Sequence, residues 1–188
     1  MAWEKGESVA FTCAYAGNLR NIAKTLRQLE EISGSSKIEI AHEMEDLLAG
    51  SVELYEDAAR KQALLAGYAK KCEHNISGDT IIVRLDQLAA NLEGKADWMM
   101  KNIRANEWVK DGEDGWFNGY YDNHGRKVEG VMDESVRMML TGQVFAIMSG
   151  TATEDQVESI CRSADKYLYD QKAGGYRLNT NFHEEKFD

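Results

Sequence analysis

Proline is absent from all 188 residues, where average usage of about 5% would place roughly nine. Proline removes an N–H and clashes with the preceding turn of a helix. A chain without it therefore favours long, uninterrupted helices. Cysteine is scarce as well: Cys13, Cys72 and Cys161 are odd in number, widely spaced and free of any CxxC pair. That spacing excludes a zinc ribbon and a thioredoxin-type redox site. Cys13 and Cys161 fall in helical patterns and read as small buried apolar residues. No run of Lys or Arg occurs; the nearest, Ala69-Lys70-Lys71-Cys72, is too short, and the net charge is −10. Nucleic acid needs a basic face that displaces counterions, and an anionic membrane needs the same, so neither is an expected partner. No apolar run is long enough to span a membrane, and the first residues lack the apolar core of a secretion signal. The expected location is the cytoplasm. Asn75-Ile76-Ser77 fits the glycosylation pattern but, without a secretion signal, reads as an ordinary turn.

What is present is globular: 43% hydrophobic and 29% charged residues, both near the averages for a packed domain. Apolar residues recur at steps of three and four over 7–33, with Tyr15, Leu19, Ile22, Leu26 and Leu29 as one stripe, and Gly34 as its stop. The same periodicity predicts helices over 37–49, broken by Gly50-Ser51, and over 53–73. Thr80 to Val83 is a short β-branched run with the signature of a strand. Asp86 suits the N-cap of a helix reaching residues 102–105, and a further helix is predicted over 136–149. Thr153-Glu154-Asp155-Gln156 is a capping box opening a helix that ends near Tyr169. Gly174-Gly175 reads as a turn before a short strand, Tyr176-Arg177-Leu178. The order is thus mainly α, with roughly six helices.

The exception is DGWFNGYYDNHGRKVEG, residues 114–130, where four aromatics crowd beside several glycines. Asp122-Asn123-His124-Gly125 is turn chemistry, so an aromatic β-hairpin is predicted. Strand side chains alternate; Trp116 and Tyr120 should point one way, Phe117 and Tyr121 the other. One face can pack on helices and the other can present rings to a sugar, or all four rings can serve packing. Other motifs are thinner. His42-Glu43-Met44-Glu45-Asp46 begins like the zinc pattern HExxH, but Asp46 stands where the second His belongs, leaving a solvated acidic helix face. Residues 111–115 are acid-rich but lack the Gly and Glu of an EF-hand loop. No metal site is predicted, and neither a nucleophile elbow nor a phosphate-binding Gly loop is present.

The second half carries a longer pattern. Ala96-Asp97-Trp98, Asn106-Glu107-Trp108, residues 115–125, residues 140–153 and Gly174-Gly175-Tyr176-Arg177-Leu178-Asn179-Thr180 follow one another in order. Together they resemble the catalytic domain of glycoside hydrolase family 94. That family holds cellobiose and chitobiose phosphorylases, cyclic β-1,2-glucan synthases and β-1,2-oligoglucan phosphorylases. There a helix ends, an aromatic hairpin with a D-x-x-G turn follows, and a helix carrying Gln runs into SG-x-A-T. Lys5-Gly6-Glu7-Ser8-Val9 resembles the segment after the family's catalytic motif, and the chain looks most similar to the β-1,2-oligoglucan phosphorylase branch.

The resemblance implies an (α/α)6 barrel, a helical toroid, of which residues 1–188 would be a single partial domain. It implies inverting phosphorolysis of a β-glucooligosaccharide, with inorganic phosphate as co-substrate and no cofactor. One carboxylic acid protonates the glycosidic oxygen while phosphate attacks the anomeric carbon. The family's acid motif should precede Gly6, and its phosphate-binding Ser-His segment should follow residues 177–180. Both are expected outside this sequence, which is then an internal section without catalytic residues of its own. Glu7, Arg137, Gln143 and Arg177 are the expected polar residues of the substrate site, with Trp116 and Tyr120 as its rings. Exposed helix faces are expected to favour self-association. Two alternatives stand beside this reading: a non-catalytic helical interaction module, and a small sugar-binding protein, each descended from such an enzyme.

Overall fold

A computed structural model of the chain describes residues 6–48, 52–132 and 135–182, the side chains of residues 52 and 53 excepted. The predicted break at Gly50-Ser51, the opening Lys5 and the closing Phe187-Asp188 lie outside the described residues. The fold is mainly helical, with small antiparallel strand pairs. The chain divides into two compact units, one of Leu19–Trp98 and one of Met1–Asn18 with Met99–Asp188. Among the described residues no helix is long and apolar enough to cross a membrane.

Helix α1, Val9–Ser33, runs through the predicted first helix. It ends at Gly34, whose φ of 66° only glycine adopts freely and whose N–H returns to the Glu30 carbonyl at 3.0 Å. The predicted stripe is corrected. Val9, Ala10, Cys13, Ala16, Ala23 and Leu26 are buried, whereas Tyr15, Ile22 and Leu29 are exposed. Small residues form the packed face because they let neighbouring backbone approach; Gly17, for example, lies so close to Ser149 that a Cβ would sit 2.9 Å from its Cα.

In the Leu19–Trp98 unit, the helix expected over 37–49 is replaced in its first half by strand β1, Lys37–Ala41, paired antiparallel with β2, Thr80–Arg84. Lys-Ile-Glu-Ile-Ala alternates with period two, and Ile38 opposes Val83 across the ladder. Two β-branched runs far apart in sequence stabilise each other there, which helical periodicity of one run cannot show. A 3-10 turn, His42–Met44, leads to α2, Glu45–Leu48. Glu43 is buried in that turn, so the motif 42–46 is not a uniformly solvated acidic face. The third predicted helix divides into α3, Val52–Glu56, and α4, Ala58–Lys71, because Asp57 is extended and caps α4 by accepting the Arg60 N–H at 3.0 Å. Helix α5, Leu85–Asn106, follows β2 directly. Leu26, Leu85, Leu88 and Ala89 form this unit's core with Ile38, Val83 and Leu92.

The other unit is built on hairpin β3, Trp108–Asp111, and β4, Asp114–Phe117. Trp116 and Phe117 point to opposite faces, as strand alternation requires. Phe117 joins Val9, Cys13, Ile103, Ala146 and Ile160, while Trp116 joins Met138, Ala164 and Leu168. After β5, Gly130–Val131, and β6, Val136–Arg137, helix α6 begins only at Leu140 and runs to Met148. Residues 136–139 are extended instead of helical, since Met139 bridges Asn179 and the Leu140 N–H bonds the Leu178 carbonyl at 2.8 Å. Helix α7, Glu154–Tyr167, opens with the predicted capping box of Thr153 and Gln156. Cys161 on α7 is exposed, contrary to expectation, while Cys13 is buried and burial pushes its thiol up to about 11. Strands β7, Tyr169–Asp170, and β8, Gly175–Tyr176, close the described unit around Gly174.

Gly115 in β4 lies flat against the Trp108 indole: a Cβ there would meet Cζ2 at 2.4 Å. Gly115→Ala should therefore lower the thermal midpoint, with about 1–3 kcal/mol of destabilisation from the displaced indole. Equal midpoints for the variant and the parent chain in a calorimetric scan would remove this contact from the account.

Candidate functional site

The aromatic stretch continues past β4 as an extended segment that is almost wholly buried. Residues 115–119 are all inside, including the polar Asn118 and two glycines. Its backbone N–H and C=O groups need partners there, and side chains supply them. Gln143, on α6, accepts the Phe117 N–H at 2.8 Å and donates to the Phe117 carbonyl at 2.8 Å, copying a strand neighbour. Its amide also reaches the Met139 carbonyl at 3.1 Å and Glu129 Oε2 at 3.4 Å.

Glu129 is 1% exposed. Its Oε1 accepts the Gly119 N–H at 2.7 Å and its Oε2 the Met139 N–H at 2.6 Å. The carboxyl thus joins three segments: the strand extension, the loop before β5 and the entry to α6. Gly119 and Gly142 make room for it, since a Cβ on Gly119 would sit 2.9 Å from Glu129 Oε1 and 3.3 Å from the Gly142 Cα. The chain of polar contacts continues outward. Glu129 N donates to Asn118 Oδ1 at 3.2 Å, and Asn118 Nδ2 donates to Glu107 Oε2 at 3.0 Å. Tyr121 donates its hydroxyl to Glu107 Oε1 at 2.9 Å. Lys127 lies 3.6 Å from Glu107 and bonds the Asn106 carbonyl. The turn that follows is the predicted one: Gly125 has a φ of 72°, and Asp122 Oδ1 accepts the N–H groups of His124 and Arg126.

Burial dominates the acid–base behaviour. It pushes the Glu129 carboxyl up to about 8, against the opposing pull of the Met139 and Gly119 N–H groups. Burial, helped by the Glu107 carboxylate, pushes the Tyr121 phenol up to about 12. Asp122 goes the other way, down to about 2, chiefly through the Arg126 N–H.

The six expected site residues fall in three places. Gln143 and Trp116 are inside: Trp116 is 0% exposed, stacked edge-on against Tyr167 at 5.7 Å, with its indole N–H on the Arg137 carbonyl at 3.2 Å. The Trp116 ring faces protein on all sides and offers no open face to a sugar. Tyr120 and Arg137 are half-buried. Tyr120 bridges Ser8, next to Glu7, whose carbonyl accepts the Tyr121 N–H at 2.9 Å. The Arg137 guanidinium stands over the Phe182 ring at 5.4 Å. Arg177 is exposed and paired with Asp170 at 2.6 Å. Its segment runs beside that of Arg137, because the Thr180 N–H bonds the Met138 carbonyl and Thr180 Oγ1 accepts the Met138 N–H. The structure therefore brings Trp116, Arg137 and Gln143 into one neighbourhood with Glu129, Asn118 and Glu107, which sequence reasoning did not single out. Glu129, alone between Val128 and Gly130, looks like any surface acid in a sequence dense with acids; only its partners distinguish it.

Residues 83–187, more than half of the chain, match the family model described as glycosyl hydrolase 94 superfamily, catalytic domain. No curated protein matches the chain. All the elements just described as meeting at Glu129 fall within the matched residues.

An unfolded glutamate titrates near 4.3, and Glu129 in the fold near 8. The folded chain then holds the extra proton between those values, so this group's contribution to stability is full below about 4 and is lost as pH rises through about 8. Asp122, lowered in the fold, acts only in acid, losing its contribution as pH falls towards 2. Between pH 5 and 9 the parent chain should melt at progressively lower temperature, and Glu129→Gln should flatten that slope. The variant should also be less stable at pH 5 by about 1–3 kcal/mol, since an amide can accept from only one of the two N–H groups. Parallel slopes for both proteins would rule out Glu129 as the group responsible.

Proposed function

The chain belongs to the glycosyl hydrolase 94 superfamily, and from that premise we propose that it serves as a section of a toroidal catalytic domain that cleaves β-linked glucooligosaccharides by inverting phosphorolysis. The observation that carries this is the family match across 83–187. In such a reaction a carboxylic acid protonates the departing glycosidic oxygen as phosphate attacks the anomeric carbon from the opposite face. Phosphate is already anionic, so the site needs cationic and N–H donors for it in place of a base.

No described carboxyl in the polar cluster suits the role of that acid. Both oxygens of Glu129 and of Glu107 are engaged inside the fold. We assign this section a positioning role. Gln143, Trp116 and Glu129 act from behind, fixing the strand extension and the entry to α6. Glu7, Tyr120, Arg137 and Arg177 are the residues proposed to line the substrate side. The apolar stripe of α1 supports membership in a larger helical assembly over an independent interaction module. Phe11, Tyr15, Ile22, Leu29 and Ile32 are 41–86% exposed, a face that neighbouring helices of a toroid would cover. Within the family, the β-1,2-oligoglucan branch is the specific substrate proposed.

The test is an assay on the protein that carries this sequence, captured from its own cells. Incubated with β-1,2-glucooligosaccharide, it should release α-glucose 1-phosphate only when inorganic phosphate is supplied, and β-1,4 oligomers should react more slowly. Free glucose released at the same rate with and without phosphate would make it a hydrolase; turnover of neither substrate would sink the reading.

A further inference from the structure

Strands β1 and β2 form a sheet of two, so among the described residues each has one edge without a neighbouring strand. The ladder fixes which backbone groups lie on those edges. The Leu85 N–H bonds the Ser36 carbonyl and the His42 N–H bonds the Asp79 carbonyl, both at 3.0 Å. Bonded and non-bonded pairs alternate along an antiparallel ladder. Between those two ends, Ile38–Val83 and Ile40–Ile81 are then the bonded pairs of the register. The N–H and C=O groups of Lys37, Glu39 and Ala41 on β1, and of Thr80 and Ile82 on β2, point away from the ladder. Such a row is a template for another strand, and native proteins blunt it unless it is used.

The two edges differ in this respect. On β1, Ser35 Oγ donates to the Lys37 carbonyl at 2.9 Å and accepts the Lys37 N–H at 3.4 Å. The charged Glu39 stands at the centre of that edge. On β2, among the described residues, no hydrogen bond engages the outward groups of Thr80 or Ile82. The register runs through β2 without a bulge. Its central outward residue is apolar: Ile82 is 67% exposed. Thr80 to Val83 is a β-branched run of high strand propensity. One edge is guarded and the other is open.

The sequence of β2 selects what pairs with it. An antiparallel copy of the strand, centred on Ile82, sets Ile82 against Ile82 of the second copy and Arg84 against its Thr80. These are all outward positions, so backbone bonds and side-chain pairs fall in one register. On the opposite face Ile81 meets Val83 of the second copy. No like charges face each other, which matters for a chain of net charge −10. The equivalent pairing of β1 would set Glu39 against Glu39. The β2 pairing is two-fold and closed, leaving only the guarded β1 edges outside.

We propose that this protein forms a two-fold dimer in which the β2 edges of two copies join into one four-stranded antiparallel sheet, ordered β1–β2–β2–β1. The inference does not rest on the catalytic reading, so either can fail alone.

The experiment combines analytical ultracentrifugation of the full chain with amide hydrogen exchange. The chain should sediment at the mass of two copies. The Thr80 and Ile82 amides, which have no acceptor within one copy, should exchange more slowly as protein concentration rises. Ile82→Lys sets two ammonium groups against each other at the two-fold centre and should raise the dissociation constant by about a hundredfold. Ile82→Pro removes only an outward N–H, so the β1–β2 ladder survives while the dimer is lost. Ile22→Lys, on the exposed stripe of α1, should leave the dimer unchanged. The proposal is overturned if the chain is monomeric at the concentrations used for NMR, or if the Thr80 and Ile82 amides exchange fast at every concentration. It is equally overturned if both Ile82 variants associate as the parent chain does, or if Ile22→Lys alone abolishes association, which would place the contact on α1. None of these outcomes touches the phosphate-dependent cleavage assay.

Discussion

A carboxyl group sealed between Gly119, Met139 and Gln143 is the constraint on which the geometry of the Met99–Asp188 unit depends. Burying Glu129 there disfavours its charge, and the cost is acceptable only because the N–H groups it meets would otherwise be buried without acceptors. On that side of the strand extension after β4, Gln143 and Glu129 take the place of a neighbouring strand. That fixes where Phe117 enters one core cluster and Trp116 the other. It also fixes the close approach of Gly119 to Gly142, which any Cβ would prevent. Remove the carboxyl, and three segments lose their common anchor.

Local chemistry was legible in the sequence where it is self-sufficient. The Gly34 stop, the Thr153–Gln156 capping box and the Asp122–Gly125 turn all form as their residues dictate, because each is complete within a few positions. What failed were features decided elsewhere in the chain. Lys37–Ala41 becomes a strand because Thr80–Arg84 is available to pair with it. Residues 136–139 stay extended because residues 178–180 bond to them. Apolar periodicity on α1 was real, but the small residues between the large ones form the packed face. Glu107 and Asn118 stand in the quoted pattern, but their roles, like that of Glu129, were not legible for a related reason: burial of a polar group is a property of its neighbours, not of its spacing.

The family match and the buried polar network fall on the same stretch of chain. The matched region contains the buried polar chain from Tyr121 through Glu107, Asn118 and Glu129 to Gln143. Such a network specifies one arrangement of loops, since any shift leaves several buried groups unpaired. A catalytic domain benefits from loops fixed in that way, because reacting groups must be held in a set geometry. The described carboxyls there serve architecture, and the proposed chemistry is assigned to groups they support.

Amide hydrogen exchange tests most directly whether this buried carboxyl anchors the unit. If the Glu129–Gln143 cluster is the anchor, the Phe117, Gly119 and Met139 amides exchange only through the unit's global opening, as slowly as the core amides of α7. Exchange of those three on the fast timescale of the exposed turn at Gly125 would show that the segments open independently, and would contradict the account.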